Sequence, residues 1–313
     1  MKGPFKLSCL IPLEKAGQKL GDFVRTQMQV SRRAIKAIKY QGGEFLVDGT
    51  PQFVTYILKG GEQLEIVFPP EAISESLHPE PLPLDVIYED DCSLVVNKSP
   101  GMPTIPSYQH FEGTLANGVV HYLREKGEAG ASHPVTRLDR ETSGLVLMAK
   151  HGHIHDLFSR LQKEKKIERR YIAVVHHPFA AVQGTINAPI GRKEGSIIER
   201  CVTDEGKEAI THYEVLWQND DLAILGIRLE TGRTHQIRVH FSSIGHPLIG
   251  DDLYGGELSL LKRQALHARH LFFPHPLSGK EIACMAPFPE DLLPLLEKGM
   301  ERIVNWDARL RKR

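Results

Sequence analysis

Apolar positions in the first 70 residues recur at helical spacing and then at strand spacing. Leu20, Phe23, Val24 and Met28 share one side of a helix, and Ala34, Ile35 and Ile38 one side of a second. Ser31 offers the second helix an N-cap, and Gly42 offers it an end. The run E-F-L-V-D-G follows, where Asp48-Gly49 is a hairpin signal, and Y-I-L-K-G-G-E-Q-L-E-I-V-F then turns at Gly60-Gly61. The expectation is two short helices followed by a small sheet. Over residues 69–83 periodicity stops. Pro69, Pro70, Pro79, Pro81 and Pro83, mixed with acids, predict an extended linker with limited packing.

From residue 84 the periodic segments resume. V-I-Y-E-D-D-C-S-L-V-V-N-K reads as strand, turn and strand. Ala116, Val119, Val120 and Leu123 make a helical stripe, with Gly127 as its stop. S-G-L-V-L-M-A predicts a strand, Ile154, Leu157, Phe158 and Leu161 a helix, and Y-I-A-V-V another strand. Residues 210–217, 222–230 and 235–241 carry further strand signals. Strands outnumber helices and the connections are short or Gly-rich. The predicted class is therefore α+β with a mixed, mostly antiparallel sheet over 84–313, preceded by a small α/β domain over 1–69 and the linker at 70–83.

Composition narrows the possibilities only slightly. The chain has 313 residues, is 41% hydrophobic and 25% charged, and has zero formal net charge. That balance hides an asymmetry. Residues 1–40 hold nine basic side chains against two acidic ones, whereas residues 71–98 hold seven acids against Lys98 alone. A basic head next to an acidic connector suits contact with phosphates through the head, because local faces decide such contact. Arg32, Arg33, Lys36 and Lys39 fall on or beside the exposed side of the second predicted helix; a solvated face and an RNA-binding face both fit them. No apolar run is long enough to span a membrane, and the short apolar patch near residue 10 meets Pro12 and Glu14 at once. The four cysteines are far apart and read as reduced thiols of a cytosolic protein.

The candidate chemistry centres on R-L-D-R-E-T-S-G at 137–144. Asp139 lies between Arg137 and Arg140, and neighbouring cations favour the ionised form of a carboxylate. Arginine also matches phosphate oxygens with its planar fork of donors. Taken alone, the triplet equally fits a surface charge cluster. Two further segments add to it: R-R-Y-I-A-V-V, with Tyr171 at the start of a strand, and L-E-T-G-R-T-H-Q-I-R-V-H-F at 229–241, followed by G-H-P-L-I-G-D-D-L-Y-G.

Together these segments resemble the RluA-like RNA pseudouridine synthases over about residues 84–290. The stretch S-R-R-A-I-K-A-I-K-Y-Q-G-G-E-F-L-V-D-G-T resembles the S-four-like RNA-binding domain over roughly 14–68, with Leu20-Gly21-Asp22 where its members usually have Leu-Asp directly. The resemblance implies isomerisation of uridine in RNA, with Asp139 as the essential carboxylate. Tyr171 would pack on the target base and assist proton removal from ring carbon 5. Arg238 would pair with Asp139, and Arg137 would enter the space left by a flipped nucleotide. Arg140, Arg233 and His235 are expected in the RNA cleft, and no metal or organic cofactor is implied. Large-subunit ribosomal RNA is the expected substrate, with transfer RNA as the alternative and a monomer as the expected state.

Asn97-Lys98-Ser99-Pro100-Gly101-Met102 resembles the family's N-K-P-x-G segment, with Ser99 inserted, and reads as a turn shaping the cleft. Thr104-Ile105-Pro106 stands where many relatives carry Val-His-Pro. Sixteen histidines raise the question of metal, and His151 and His155 are four apart, yet there is no H-E-x-x-H and no clear third ligand. The glycine runs match neither a P-loop nor a dinucleotide fingerprint. Two readings from different classes stay open: an RNA pseudouridine synthase, and a non-catalytic RNA-binding or ribosome-assembly protein on the same scaffold. A glycosidase would need a second carboxylate across the bond, and Glu141, on the same turn, is poorly placed for it.

Overall fold

A computed structural model describes residues 4–71, 77–107, 111–128 and 131–311. The first elements are β1 (Lys6–Leu10), α1 (Leu20–Thr26), α2 (Arg32–Tyr40), β2 (Glu44–Val47), β3 (Thr50–Pro51) and β4 (Gln63–Val67). The four strands form one sheet in the order β1-β4-β2-β3. Strand β1 was not expected; its pattern reads poorly because only Leu7 is buried along it, while its register is set by pairing antiparallel with β4. Leu20, Phe23, Val24 and Ile38 of the two helices close over Phe45, Leu64 and Ile66 of the sheet, giving this part its own core. Ser31 caps α2 as expected, its hydroxyl accepting from the Ala34 N–H at 3.2 Å. Arg32, Arg33 and Lys36 are exposed on that helix.

The remainder is built on a ten-stranded sheet. Its elements are β5 (Asp85–Glu89), β6 (Ser93–Lys98), α3 (Leu115–Glu125), β7 (His133–Pro134), β8 (Ser143–Ala149), α4 (Gly152–Lys163), β9 (Glu168–His176) and β10 (Gln183–Asn187). A separate hairpin, β11 (Ile190–Arg192) and β12 (Arg200–Val202), precedes β13 (Ile210–Gln218), β14 (Leu222–Leu229), α5 (Gln236–Ser243), β15 (Leu266–Pro274), β16 (Glu281–Met285), α6 (Leu293–Leu296) and α7 (Met300–Arg311). The main path runs β10-β13-β14-β9-β15-β8-β6-β5, with β16 added to β15 and β7 to β8. The pair β15–β8 is parallel and the other pairs are antiparallel, so the sheet is mixed and mostly antiparallel as expected.

Two expectations are corrected. Residues 236–243 form a helix, not a strand. Ile237, Val239 and Phe241 alternate as a strand would, but Gln236, Arg238 and His240 are buried as well. With every face covered, the period of two carried no information about the backbone. The linker is also far from loosely packed. Glu71 accepts from the Gly152 N–H at the start of α4 at 2.7 Å and meets His133 at 2.6 Å, and Glu80 accepts from the Gly113 N–H at 2.8 Å. Its acids are spent on backbone donors and a histidine, which composition could not reveal; residues 72–76 lie outside the described residues.

The N-terminal part also meets α4 directly. Phe5 stacks on His151 with centroids 4.5 Å apart, and Phe68 stacks on His153 at 5.2 Å. Arg160 of α4 donates to the Gln29 side chain and carbonyl at 2.6 and 3.0 Å.

Candidate active site

Asp139 lies on a turn between β7 and β8, closed by the Thr142 N–H donating to the Asp139 carbonyl at 3.1 Å. Immediately after it, Gly144 enters β8 with φ +110°. A Cβ there would lie 2.3 Å from the Ala268 carbonyl oxygen of β15, so the close strand approach needs glycine twice over. Two side chains from the preceding segment brace the turn from below. Lys98, buried at the end of β6, donates to the carbonyls of Ser99, Met102 and Arg140 at 2.8, 2.8 and 2.9 Å. The Thr104 hydroxyl donates to the Leu138 carbonyl at 2.8 Å and accepts from the Leu138 N–H at 3.2 Å. The residues on both sides of Asp139 are therefore clamped through their backbones.

Burial pushes the Lys98 ammonium down to about 7, opposed by the charges of Glu141 and Asp139. Its three carbonyl partners match the three N–H bonds of the charged form, so the brace is complete only when Lys98 is protonated. The expected role of this segment, a turn shaping the cleft, thus extends to holding the Asp139 turn.

The cation facing Asp139 is Arg238, at 3.2 Å from its carboxylate. This is the pairing that the resemblance implied. Of the two flanking arginines, Arg140 pairs with Glu141 at 2.8 Å and Arg137 is exposed on the cleft wall, whereas α5 delivers Arg238 to the carboxylate. Arg238 is itself fixed by Asp251, which takes its Nε and Nη2 donors at 2.7 and 2.8 Å in a two-pronged bond. Burial works against the Arg238 charge, but Asp251 and Asp139 outweigh it and hold the guanidinium above its ordinary pKa. Gly250, with φ +76°, lets the chain turn into Asp251; a Cβ there would lie 2.0 Å from the Arg263 carbonyl oxygen.

Tyr254 completes the support. Arg238 lies over its ring, 4.9 Å from the centroid, and its hydroxyl meets His235 Nδ1 at 2.8 Å. His235, in the left-handed region at φ 56°, points Nε2 to within 3.8 Å of Asp139; burial lowers its pKa and favours a neutral ring. Asp251 and Tyr254 were not singled out from sequence. Their signal was the G-D-D-L-Y-G run, which has no chemistry of its own until α5 brings Arg238 against it.

Tyr171, on β9, is 5% exposed and packs with Leu229, Ile237, Leu266 and Ala268. Burial raises its phenol above the ordinary pKa; Arg169 draws it back and Asp139 adds to the rise. Tyr171, Asp139 and Arg238 line one cleft of about 910 Å³, together with Arg137, Arg140, Arg233 and His235. Arg32, Arg33 and Lys36 are not among its lining residues, as α2 belongs to the small sheet. The cleft is large enough for a nucleotide, with a carboxylate for chemistry at a sugar carbon, a phenol beside it and cations on the walls.

Among the described residues one trio, Asp90, Cys92 and His275, gathers metal-type ligand atoms. Asp90 already accepts from the Cys92 and Ser93 N–H groups, the Ser93 hydroxyl and the Tyr88 hydroxyl, so it acts as the cap of a turn. Burial pushes the Cys92 thiol up to about 12, away from the thiolate a metal needs.

The RNA pseudouridylate synthase family matches residues 93–243, the span that holds both the Asp139 turn and α5. The chain is 47% identical over 271 residues to the RNA pseudouridine synthase YjbO of Bacillus subtilis, covering 87% of this chain and 96% of that one. It is 35% identical over 312 residues to ribosomal large subunit pseudouridine synthase D of Pseudomonas aeruginosa, covering 94% and 97%. The solved human RNA pseudouridylate synthase domain containing 4 shares the fold, with a TM-score of 0.57 at 22% identity over 69% of this chain and 92% of that one. With similarity of this extent, and with the motifs it rests on meeting in one cleft, the chain belongs to the RNA pseudouridine synthases, enzymes that isomerise uridine within RNA.

Proposed function

We propose that this enzyme converts specific uridines of large-subunit ribosomal RNA to pseudouridine, with Asp139 as the catalytic carboxylate. The 3.2 Å pairing of Asp139 with a guanidinium that is itself locked by Asp251 is the observation that carries the residue assignment. A carboxylate so held stays oriented toward the cleft and can act as nucleophile at sugar carbon 1′ or as base toward an adjacent sugar proton. In either course the bond from base N1 to carbon 1′ breaks. The uracil rotates in place, and ring carbon 5 bonds to carbon 1′. The proton on carbon 5 is then lost and N1 gains one, so no external reactant is consumed.

Tyr171 supports the base and takes part in removing that proton. The nucleotide must leave its stack for these atoms to reach Asp139, and Arg137, exposed on the wall, takes the vacated space. Arg140, Arg233 and His235 contact the strand at the cleft. The small sheet is an S-four-like RNA-binding domain whose Arg32, Arg33 and Lys36 hold a second part of the RNA by phosphate contacts. The similarity to enzymes named for the large ribosomal subunit supports that substrate, and in this reading the enzyme acts in the cytoplasm as a monomer. No helix among the described residues is long and apolar enough to cross a membrane.

Carbodiimide mapping of ribosomal and transfer RNA from cells with and without the gene tests the substrate. Loss of sites in large-subunit RNA is expected; loss confined to transfer RNA overturns that assignment. Tritium release from RNA labelled at uridine carbon 5 tests the residue: Asp139→Ala is expected to release none, and release equal to wild type refutes the role of Asp139.

A further inference from the structure

Arg169 sits two residues before Tyr171 on β9, a spacing that puts both side chains on one face of the strand. Both line the cleft that holds Asp139. The neighbouring cations are spent: Arg170 pairs with Glu168 at 2.5 Å, and Lys165 with Glu230 at 3.1 Å. Arg169 differs from them. Among the described residues its side chain makes one hydrogen bond, from Nη2 to the Thr231 carbonyl at 3.4 Å, the long end of the range, and its buried Nε has no partner there.

The backbone makes room for this guanidinium. A Cβ on Gly232 would lie 2.6 Å from Arg169 Nη1, so the glycine of the G-R-T-H segment leaves the space in which the fork lies. Arg169 is a permanently charged group, and its buried Nε, with no partner among the described residues, costs free energy that an anion at the fork would offset. The ligand of this family is a polyanion, and a planar fork suits phosphate oxygens. Arg169 lies close enough to Tyr171 for its charge to act on the phenol, so the two side chains serve one part of the cleft.

We infer that Arg169 is a substrate-binding residue that grips a phosphate of the RNA strand at the target nucleotide, seating the base on Tyr171. The inference rests on Tyr171 facing that base, and adds an anchor that neither Asp139 nor Arg238 provides. An arginine that held a base carbonyl instead would contribute binding without releasing counterions, which separates the two contacts experimentally.

The test uses total RNA labelled with [5-³H]uridine from cells lacking the gene, a probe that contains the substrate whichever RNA class supplies it. Tritium release is followed against RNA concentration at several KCl concentrations for wild type, Arg169→Gln and Arg169→Lys. For Arg169→Gln the half-saturating RNA concentration is expected to rise roughly tenfold or more, and the log–log salt slope to shrink by about 0.7–0.9, one phosphate contact. Arg169→Lys keeps the charge and should keep the slope, while the thermal midpoint of all three stays the same. An unchanged slope in Arg169→Gln overturns the phosphate contact, whether or not half-saturation moves. Locating the pseudouridine formed tests the ribosomal assignment separately, and its failure leaves the slope comparison intact.

Discussion

Replacing Asp251 by Asn asks whether the active carboxylate is positioned through a second carboxylate it never touches. Asp251 is fully buried and Arg238 nearly so, with bonds of 2.7 and 2.8 Å between them. Asparagine keeps the shape but offers one acceptor and one donor where the guanidinium needs two acceptors. One arm of Arg238 then meets an N–H and must swing away. Removing one partner of a buried ion pair costs about 3–5 kcal/mol. Asp139 still faces Arg238 at 3.2 Å, so the low end, about 3 kcal/mol, is the figure for this site. For a chain of this size that is a fall in thermal midpoint of roughly 4–5 °C. Arg238 no longer holds Asp139 in register, and a displacement near 1 Å costs about a hundredfold in turnover. The companion Asp139→Asn variant should behave oppositely. Its bond to Arg238 is one-pronged and its side chain is 27% exposed, so stability should change by less than about 1 kcal/mol while tritium release disappears. Thermal unfolding and single-turnover tritium release read the two quantities apart. The reasoning fails if Asp251→Asn keeps its midpoint within 2 °C and its turnover within about threefold of wild type, magnitudes well below those expected for a buried pair.

Three further outcomes are expected. Thr104→Val keeps the side-chain volume but leaves both backbone groups of Leu138 without the hydroxyl, so kcat should fall roughly tenfold with little change in half-saturation, and Thr104→Ser should restore it; equal kcat in Val and wild type would show that the brace does not position Asp139. His153 is 3% exposed, stacks on Phe68 and has neither ring nitrogen bonded among the described residues, so His153→Phe should stabilise by about 1–2 kcal/mol, measured by denaturant unfolding at pH 7. Burial lowers the same histidine to about 4, below its unfolded value near 6.5. The unfolded chain therefore binds the extra proton first, and stability should fall as pH drops from about 6.5 to 4, by about 3 kcal/mol from this group. An identical acid profile in His153→Phe would contradict that. Replacing Arg32, Arg33 and Lys36 together with Ala should weaken RNA affinity and flatten its salt dependence, with Asp139 chemistry at saturating RNA nearly unaffected; an unchanged slope counts against RNA contact by α2.

How much of the site was readable depended on whether its parts are local. Asp139 and Tyr171 lie in short segments whose order and spacing are visible in the chain, and the helical stripe of α3 and the cap of α2 follow from periodicity and Ser31. Lys98 was visible only as part of a turn. Its three carbonyl partners are backbone groups, and backbone acceptors leave no mark on side-chain pattern. Arg169 was hidden by a run of basic residues, and only the pairing of Arg170 and Lys165 elsewhere distinguishes it.

The chain alone determined the α+β class, the motifs that place Asp139 and Tyr171 in one cleft, and the basic helix of the small sheet, because each follows from local pattern or a contiguous motif. Tertiary structure decided how Arg238, the cation that the resemblance assigned to Asp139, is delivered and held. Asp251 fixes it, and it arrives from a helix whose burial on every side erased its own periodicity. It also turned the acids at 71 and 80 from solvated charges into acceptors for backbone donors. Side-chain direction and long-range burial set those partnerships, and neither is encoded in the order of residue types over a short window.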